Sequence, residues 1–273
     1  MRIWRYISIA AAALMAGGCF QSNTLIRINA DGSGTIEQTT LITEAALRQL
    51  RQFAAAGSEN GKPLDLFSTD QARQMAASLG SDITVVSSTR IKNADGEGSK
   101  AILAFPDINR LQLKKQSAAS DSVGLDPGIG SAASDVRFSF SRQPDGRSLL
   151  RITTPAAQMF RMPQATAPAG SGGAPQTRIA PEQLAMMKQI FAGMRVYVAV
   201  EPAGQLLNTS SPFVDGQRVT LVDLSFDQLL ANDAVFSRLQ GARSADEAKA
   251  AMKAIPGLKV NLDPEITIEF AGR

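Results

Sequence analysis

Three short stretches fix the chain's direction more firmly than anything else in it. They are Asn29-Ala30-Asp31-Gly32-Ser33-Gly34, Asn93-Ala94-Asp95-Gly96 and Pro144-Asp145-Gly146. Glycine takes positive φ without steric cost, and a preceding Asn or Asp folds its side chain back onto the local backbone. Where such a turn lies between segments of alternating apolar and polar residues, the flanks must return on one another as a hairpin. Leu25, Ile26 and Ile28 lead into the first turn and residues 36–42 return from it. Residues 82–92 and 100–105 flank the second, and residues 136–141 and 148–153 the third. The first two turns resemble each other from Arg27 and Arg90 onward, an echo that common turn chemistry explains without a structural repeat.

Helical stretches are interspersed. Residues 44–56 place Leu47, Leu50 and Ala54 on one face. Ser68 opens a second helix in a capping box with Gln71, and Gly80 closes it. Pro181 suits the first position of a helix whose stripe is Leu184, Met187, Ile190, Phe191 and Met194; core packing is its expected use, with an adaptable apolar groove as the alternative. Strands are expected at 195–200, 205–209 and 218–224, turning at Ala203-Gly204 and Asp215-Gly216. One helix is expected over 226–239, another from the Ser244-Ala245-Asp246-Glu247 capping box to Ile255, and a last strand over 266–270. Hairpins mixed with segregated helices predict an α+β fold, antiparallel hairpins forming a sheet with helices packed against it. The late strands are expected to complete one sheet. Residues 117–135, rich in Ser, Ala, Gly and Asp, read as an insertion, and 163–177 as a Pro/Gly linker that would mark two subdomains if the body divides.

The residue inventory excludes several kinds of chemistry. There is no histidine, which removes Ser-His-Asp and Cys-His catalysis and imidazole metal sites. Cys19 is the only cysteine, so no disulfide forms within the chain. No Gly-x-Ser-x-Gly, phosphate loop or dinucleotide fingerprint is present, and no cofactor is expected. Asn29, Asp31, Ser33, Gly34 and Ile36 mimic the spacing of a calcium loop, but Thr40 stands where its bidentate glutamate belongs, so a plain turn is the expectation. Asp223 and Asp227 are four residues apart and could share a helical face; Asp227 would lie in the first turn of a helix, where the dipole favours it. Asp263 and Glu265 flank Pro264 and read as turn acids.

The N-terminus carries the strongest functional signal. Arg2 and Arg5 precede an apolar run over 7–15, too short to cross about 30 Å of hydrocarbon. Ala16-Gly17-Gly18-Cys19 follows, and it resembles a bacterial lipobox. The resemblance implies cleavage after Gly18, acyl chains on Cys19 and retention at a membrane through those chains. Phe20, rather than Asp, follows the cysteine; in a Gram-negative host this implies the outer membrane, facing the periplasm. Residues 1–18 are then a signal peptide, 19–23 a lipidated tether and 24–273 the envelope domain. Losing Arg2 and Arg5 lowers the basic count from 28 to 26 against 25 acidic residues, leaving no electrostatic case for nucleic acid.

On a larger scale, several features are similar to bacterial lipoproteins with an LppM-like domain. They are Asp31-Gly32-Ser33-Gly34, Phe105-Pro106-Asp107-Ile108, Asn208-Thr209-Ser210-Ser211-Pro212 and Phe226-Asp227-Gln228-Leu229-Leu230. This resemblance implies an envelope-facing α+β domain and no reaction. The expected function is therefore a lipid-anchored, non-catalytic binding or structural module, with an envelope protein or lipid as its partner. The alternatives are a hydrolase using Asp223 and Asp227, or a lipid- or lipoprotein-binding protein.

Overall fold

The computed structural model describes residues 20–48, 67–94, 96–111, 136–154, 191–242 and 245–272, together with Ala185 and Lys188. The signal peptide with Cys19, the 117–135 insertion, the 163–177 linker, Ser244 and most of the 44–56 and 181–194 helices lie outside the described residues.

The chain is α+β, with two sheets. β1 (Phe20–Ile28) and β2 (Gly34–Ile42) form the first hairpin, and β3 (Thr84–Asn93) and β4 (Gly96–Phe105) the second. β2 pairs with β4 rather than with β3, so the two hairpins join in the order β1-β2-β4-β3 and not as a meander. β7 (Arg195–Pro202), β10 (Arg218–Ser225) and the two-residue β11 (Lys259–Val260) extend this sheet in the order β11-β10-β7-β1-β2-β4-β3, with β9 (Val214–Asp215) on β10. β1 and β7 run parallel, from Gln21 opposite Arg195 to Ile28 opposite Pro202. The second sheet has the order β5-β6-β12-β8, from β5 (Arg137–Arg142), β6 (Arg147–Thr153), β8 (Gln205–Thr209) and β12 (Glu265–Ala271).

Three expectations are corrected here. The late strands β7, β10 and β11 do complete the first sheet, but β8 and β12 leave it for the second. Ala203-Gly204 is consequently not a hairpin turn. Both flanks of β7 are occupied, by β1 and β10, so β8 has no free edge there and the chain turns a corner between sheets. Finally, residues 20–23 are not a tether: β1 begins at Phe20, which pairs with Ile42.

Alternation explains the core. Ile26, Ile28, Ile36 and Leu103 of the first sheet are buried and cluster with Leu150, Ile152, Ile266, Ile268 and Phe270 of the second. Outward neighbours on β12, Glu265, Thr267 and Glu269, keep the period of two. α1 (Thr69–Leu79) adds Ala72, Ala76 and Leu79 to this core. Its cap is the expected one, with Ser68 Oγ accepting from Gln71 N–H at 3.3 Å.

A second apolar cluster lies around α2 (Phe226–Ala231), α3 (Asp233–Gly241) and α4 (Ala245–Lys253). The single helix expected over 226–239 is broken at Asn232, which is extended (φ −112°, ψ 94°) and accepts from Val235 N–H at 3.0 Å. Asn caps a helix better than it continues one, so it ends α2 and starts α3. Phe191 stacks on Phe226 with ring centroids 5.0 Å apart, and Met194 packs on the same cluster, so the described end of the Met-bearing stripe serves as core.

Candidate functional site

The first turn closes on itself. Asn29 N–H donates to Ser33 O at 2.8 Å, and Asp31 Oδ1 accepts from both Ser33 N–H (2.9 Å) and Ser33 Oγ (2.6 Å). The Ser33 hydroxyl, then its backbone N–H, holds the Asp31 carboxyl below its ordinary range. The flanks are strands in register from Ile28 opposite Gly34, the geometry of a β-hairpin rather than of helices about a calcium loop. Among the described residues, no group of three or more His, Cys, Asp or Glu side chains gathers into a metal-sized cluster.

Asp223 and Asp227 are not brought together. Arg195 donates to both Asp223 oxygens, Nε at 3.0 Å and an Nη at 3.1 Å, a bidentate clamp across β7 and β10. Asp227 accepts from Gly193 N–H at 2.9 and 3.0 Å, fixing the entry into β7. Asp263 pairs with Lys249 at 2.5 Å and Glu265 with Arg151 at 3.1 Å. Beside Asp263, a cleft of about 40 Å³ lies among Pro212, Phe213, Met252, Leu258 and Asn261. That is room for water-sized occupants rather than an organic substrate.

What sequence reasoning missed is a row of charges crossing five adjacent strands on the face opposite Ile26 and Ile28. Arg218 on β10 binds Glu201 on β7 at 2.7 Å. Glu201 reaches Arg27 on β1 at 3.4 Å, Arg27 binds Glu37 on β2 at 2.9 Å, and Glu37 meets Lys100 on β4 at 2.6 Å. Arg27 and Glu37 could have been paired from the hairpin register alone. The other links depend on strand neighbours that the sequence does not announce.

This row makes a pH prediction. Lys100 and then Arg27 hold Glu37 below its ordinary 4.5, and Arg218 followed by Arg27 does the same for Glu201. A carboxylate with a depressed folded pKa stabilises the fold above its unfolded pKa, and that contribution is lost as pH falls from 4.5 through the folded value. Wild-type protein should therefore lose thermal stability on acidification across that window. A Glu37→Gln/Glu201→Gln variant should start lower at neutral pH, fall less, and converge with wild type in acid. Parallel melting curves at every pH would refute the assignment.

The N-terminal end of β1 lies in a second row, this one across strand ends. Lys92 on β3 bonds Glu97 on β4 at 2.8 Å; Glu97 is opposite Ile42 on β2, Ile42 is opposite Phe20, and Gln21 is opposite Arg195 on β7. Phe20 is one of the large apolar side chains left exposed. Among the described residues, no helix is long and apolar enough to cross a membrane.

With two sheets and their helices in place, the chain is of the α+β class, and among the described residues the strands close no barrel. Compared with solved structures, it is similar to the folded domain of LppM from Mycobacterium tuberculosis, determined by NMR. The match covers 94% of this chain and 92% of that one, at 10% identity and a TM-score of 0.34. No family model matches the chain, and no curated protein matches it. No residue role follows from so distant a likeness.

Proposed function

We propose that this chain is a lipid-anchored lipoprotein of the cell envelope whose α+β body is a non-catalytic binding or structural module. The observation that carries the reading is the short apolar run ending in Ala16-Gly17-Gly18-Cys19, with the only thiol in the chain placed immediately before β1. A signal segment needs an extended, small-residue approach to its cleavage point, and two or three acyl chains hold a protein at a bilayer far more firmly than one. In a Gram-negative host, Phe20 after the cysteine favours the outer membrane, facing the periplasm. The clamping of Asp223 by Arg195 and the use of Asp227 to hold Gly193 support docking over hydrolysis.

Intact-mass measurement of the full chain expressed in a bacterial host tests this. Membrane-fraction protein should lack residues 1–18 and carry the added mass of acyl chains on Cys19. Cys19→Ala should leave residues 1–18 uncut and carry no acyl mass. A processed chain with a titratable Cys19 thiol would refute the reading.

A further inference from the structure

A lipoprotein body is commonly separated from its anchor by a polar spacer, and here there is none. β1 starts at Phe20, the residue covalently following Cys19, and consecutive Cα atoms are about 3.8 Å apart. Phe20 is not loosely placed: it is paired with Ile42 at the outset of a nine-residue antiparallel register. An acyl anchor on Cys19 would hold this end of the first sheet within a few ångströms of the headgroups, with no slack to move away.

The same end has the right surface for that position. In both of its ion pairs the cation is turned outward and the acid inward: Lys92 is 71% exposed against 15% for Glu97, and Arg195 is 57% exposed against 15% for Asp223. Phe20 adds an exposed aromatic ring at the same strand end, on the face of Lys92, while Arg195, opposite Gln21, stands on the other face. Glu44, just after β2, and Asp227, which accepts from Gly193 N–H at the entry into β7, are exposed acids of the same neighbourhood. An exposed aromatic ring among charges of both signs suits the headgroup layer of a phospholipid surface.

We propose that the strand-end row Phe20, Ile42, Lys92 and Arg195 rests directly on a phospholipid surface, so that the first sheet stands on the membrane instead of hanging from it. This rests on the lipidation reading above. The occupant is the bilayer itself, because the anchor point adjoins the row and the exposed ring of Phe20 stands at that point.

Introduced tryptophan tests it, since Trp4 is the only one in the chain and lies within residues 1–18. Full-length Gln21→Trp marks the row. Ala203→Trp marks the far end of β1, where Ala203 N–H donates to Ile28 O, about 25–30 Å away along the strand. Both proteins are reconstituted in phosphatidylethanolamine–phosphatidylglycerol vesicles containing a headgroup-nitroxide lipid, after intact mass confirms the acyl chains. Emission from Gln21→Trp should be strongly quenched and that from Ala203→Trp unchanged. In the unmodified protein, acylation of Lys92 by an amine reagent should fall on vesicles relative to detergent. Acylated protein with equal quenching at the two ends, or with Lys92 labelling unchanged, would overturn the orientation while leaving the anchor intact. A bare Cys19 would overturn both.

Discussion

Gly204→Ala is expected to destabilise the protein by about 2–4 kcal/mol, although it adds a single methyl group. A Cβ built at Gly204 would lie 1.6 Å from Ala271 O and 2.7 Å from Ala271 C. Both are backbone atoms of β12, so no side chain can swing aside. The corner between the sheets would have to open, disturbing the β8–β12 pairing that starts at Gln205 opposite Ala271. For a domain of this size the change corresponds to a fall in Tm of roughly 4–16 °C, measurable by circular dichroism. Gly241→Ala is the control. It sits at the end of α3 with nothing within 4 Å of the added carbon, and should change Tm little or raise it slightly. A Gly204→Ala protein as stable as wild type would mean that the corner is not closely packed.

Phe270→Ala should cost about 3–5 kcal/mol, the usual range for emptying a buried phenylalanine site. Phe270 is fully buried on β12, faces the core shared by both sheets, and lies 6.3 Å, centroid to centroid, from Phe140 on β5. Phe236→Ala, in the separate cluster around α2–α4, should cost a similar amount because that ring is 2% exposed. Denaturant unfolding of the two single variants and of the double variant measures whether the clusters are independent. Sites with no common partners add within about 0.5 kcal/mol. A large departure from additivity would show the clusters behaving as one cooperative core.

Much of this architecture could be read from local chemistry. The hairpins closing at Asp31-Gly32, between Asn93 and Gly96, and at Asp145-Gly146 formed where turn residues met alternating flanks, since a turn of few residues fixes its own register. Ser68 capped α1 because its hydroxyl needs only a neighbour three residues away. Neighbours far apart in sequence were not legible. That β8 would abandon β7 for β12 depends on which strand edges are already occupied, a property of the assembled sheet. The charge row from Arg218 to Lys100 is hidden for the same reason. Asp223 and Asp227 show the converse: four residues of spacing suggested a pair, but one side chain faces Arg195 across two strands and the other turns back to Gly193.

The parallel contact of β1 with β7 has a consequence in time. Arg27 and its partner Glu201 are separated by 174 positions. At about 5–20 residues per second, a ribosome needs roughly 10–35 s to cover that distance. Throughout that interval the earliest strand has one hydrogen-bonding flank open, the condition under which nascent β-structure is most easily captured by the wrong partner. Any shielding the newborn polypeptide receives is therefore needed longest at its first strand, and it can be withdrawn once residues 195–202 arrive.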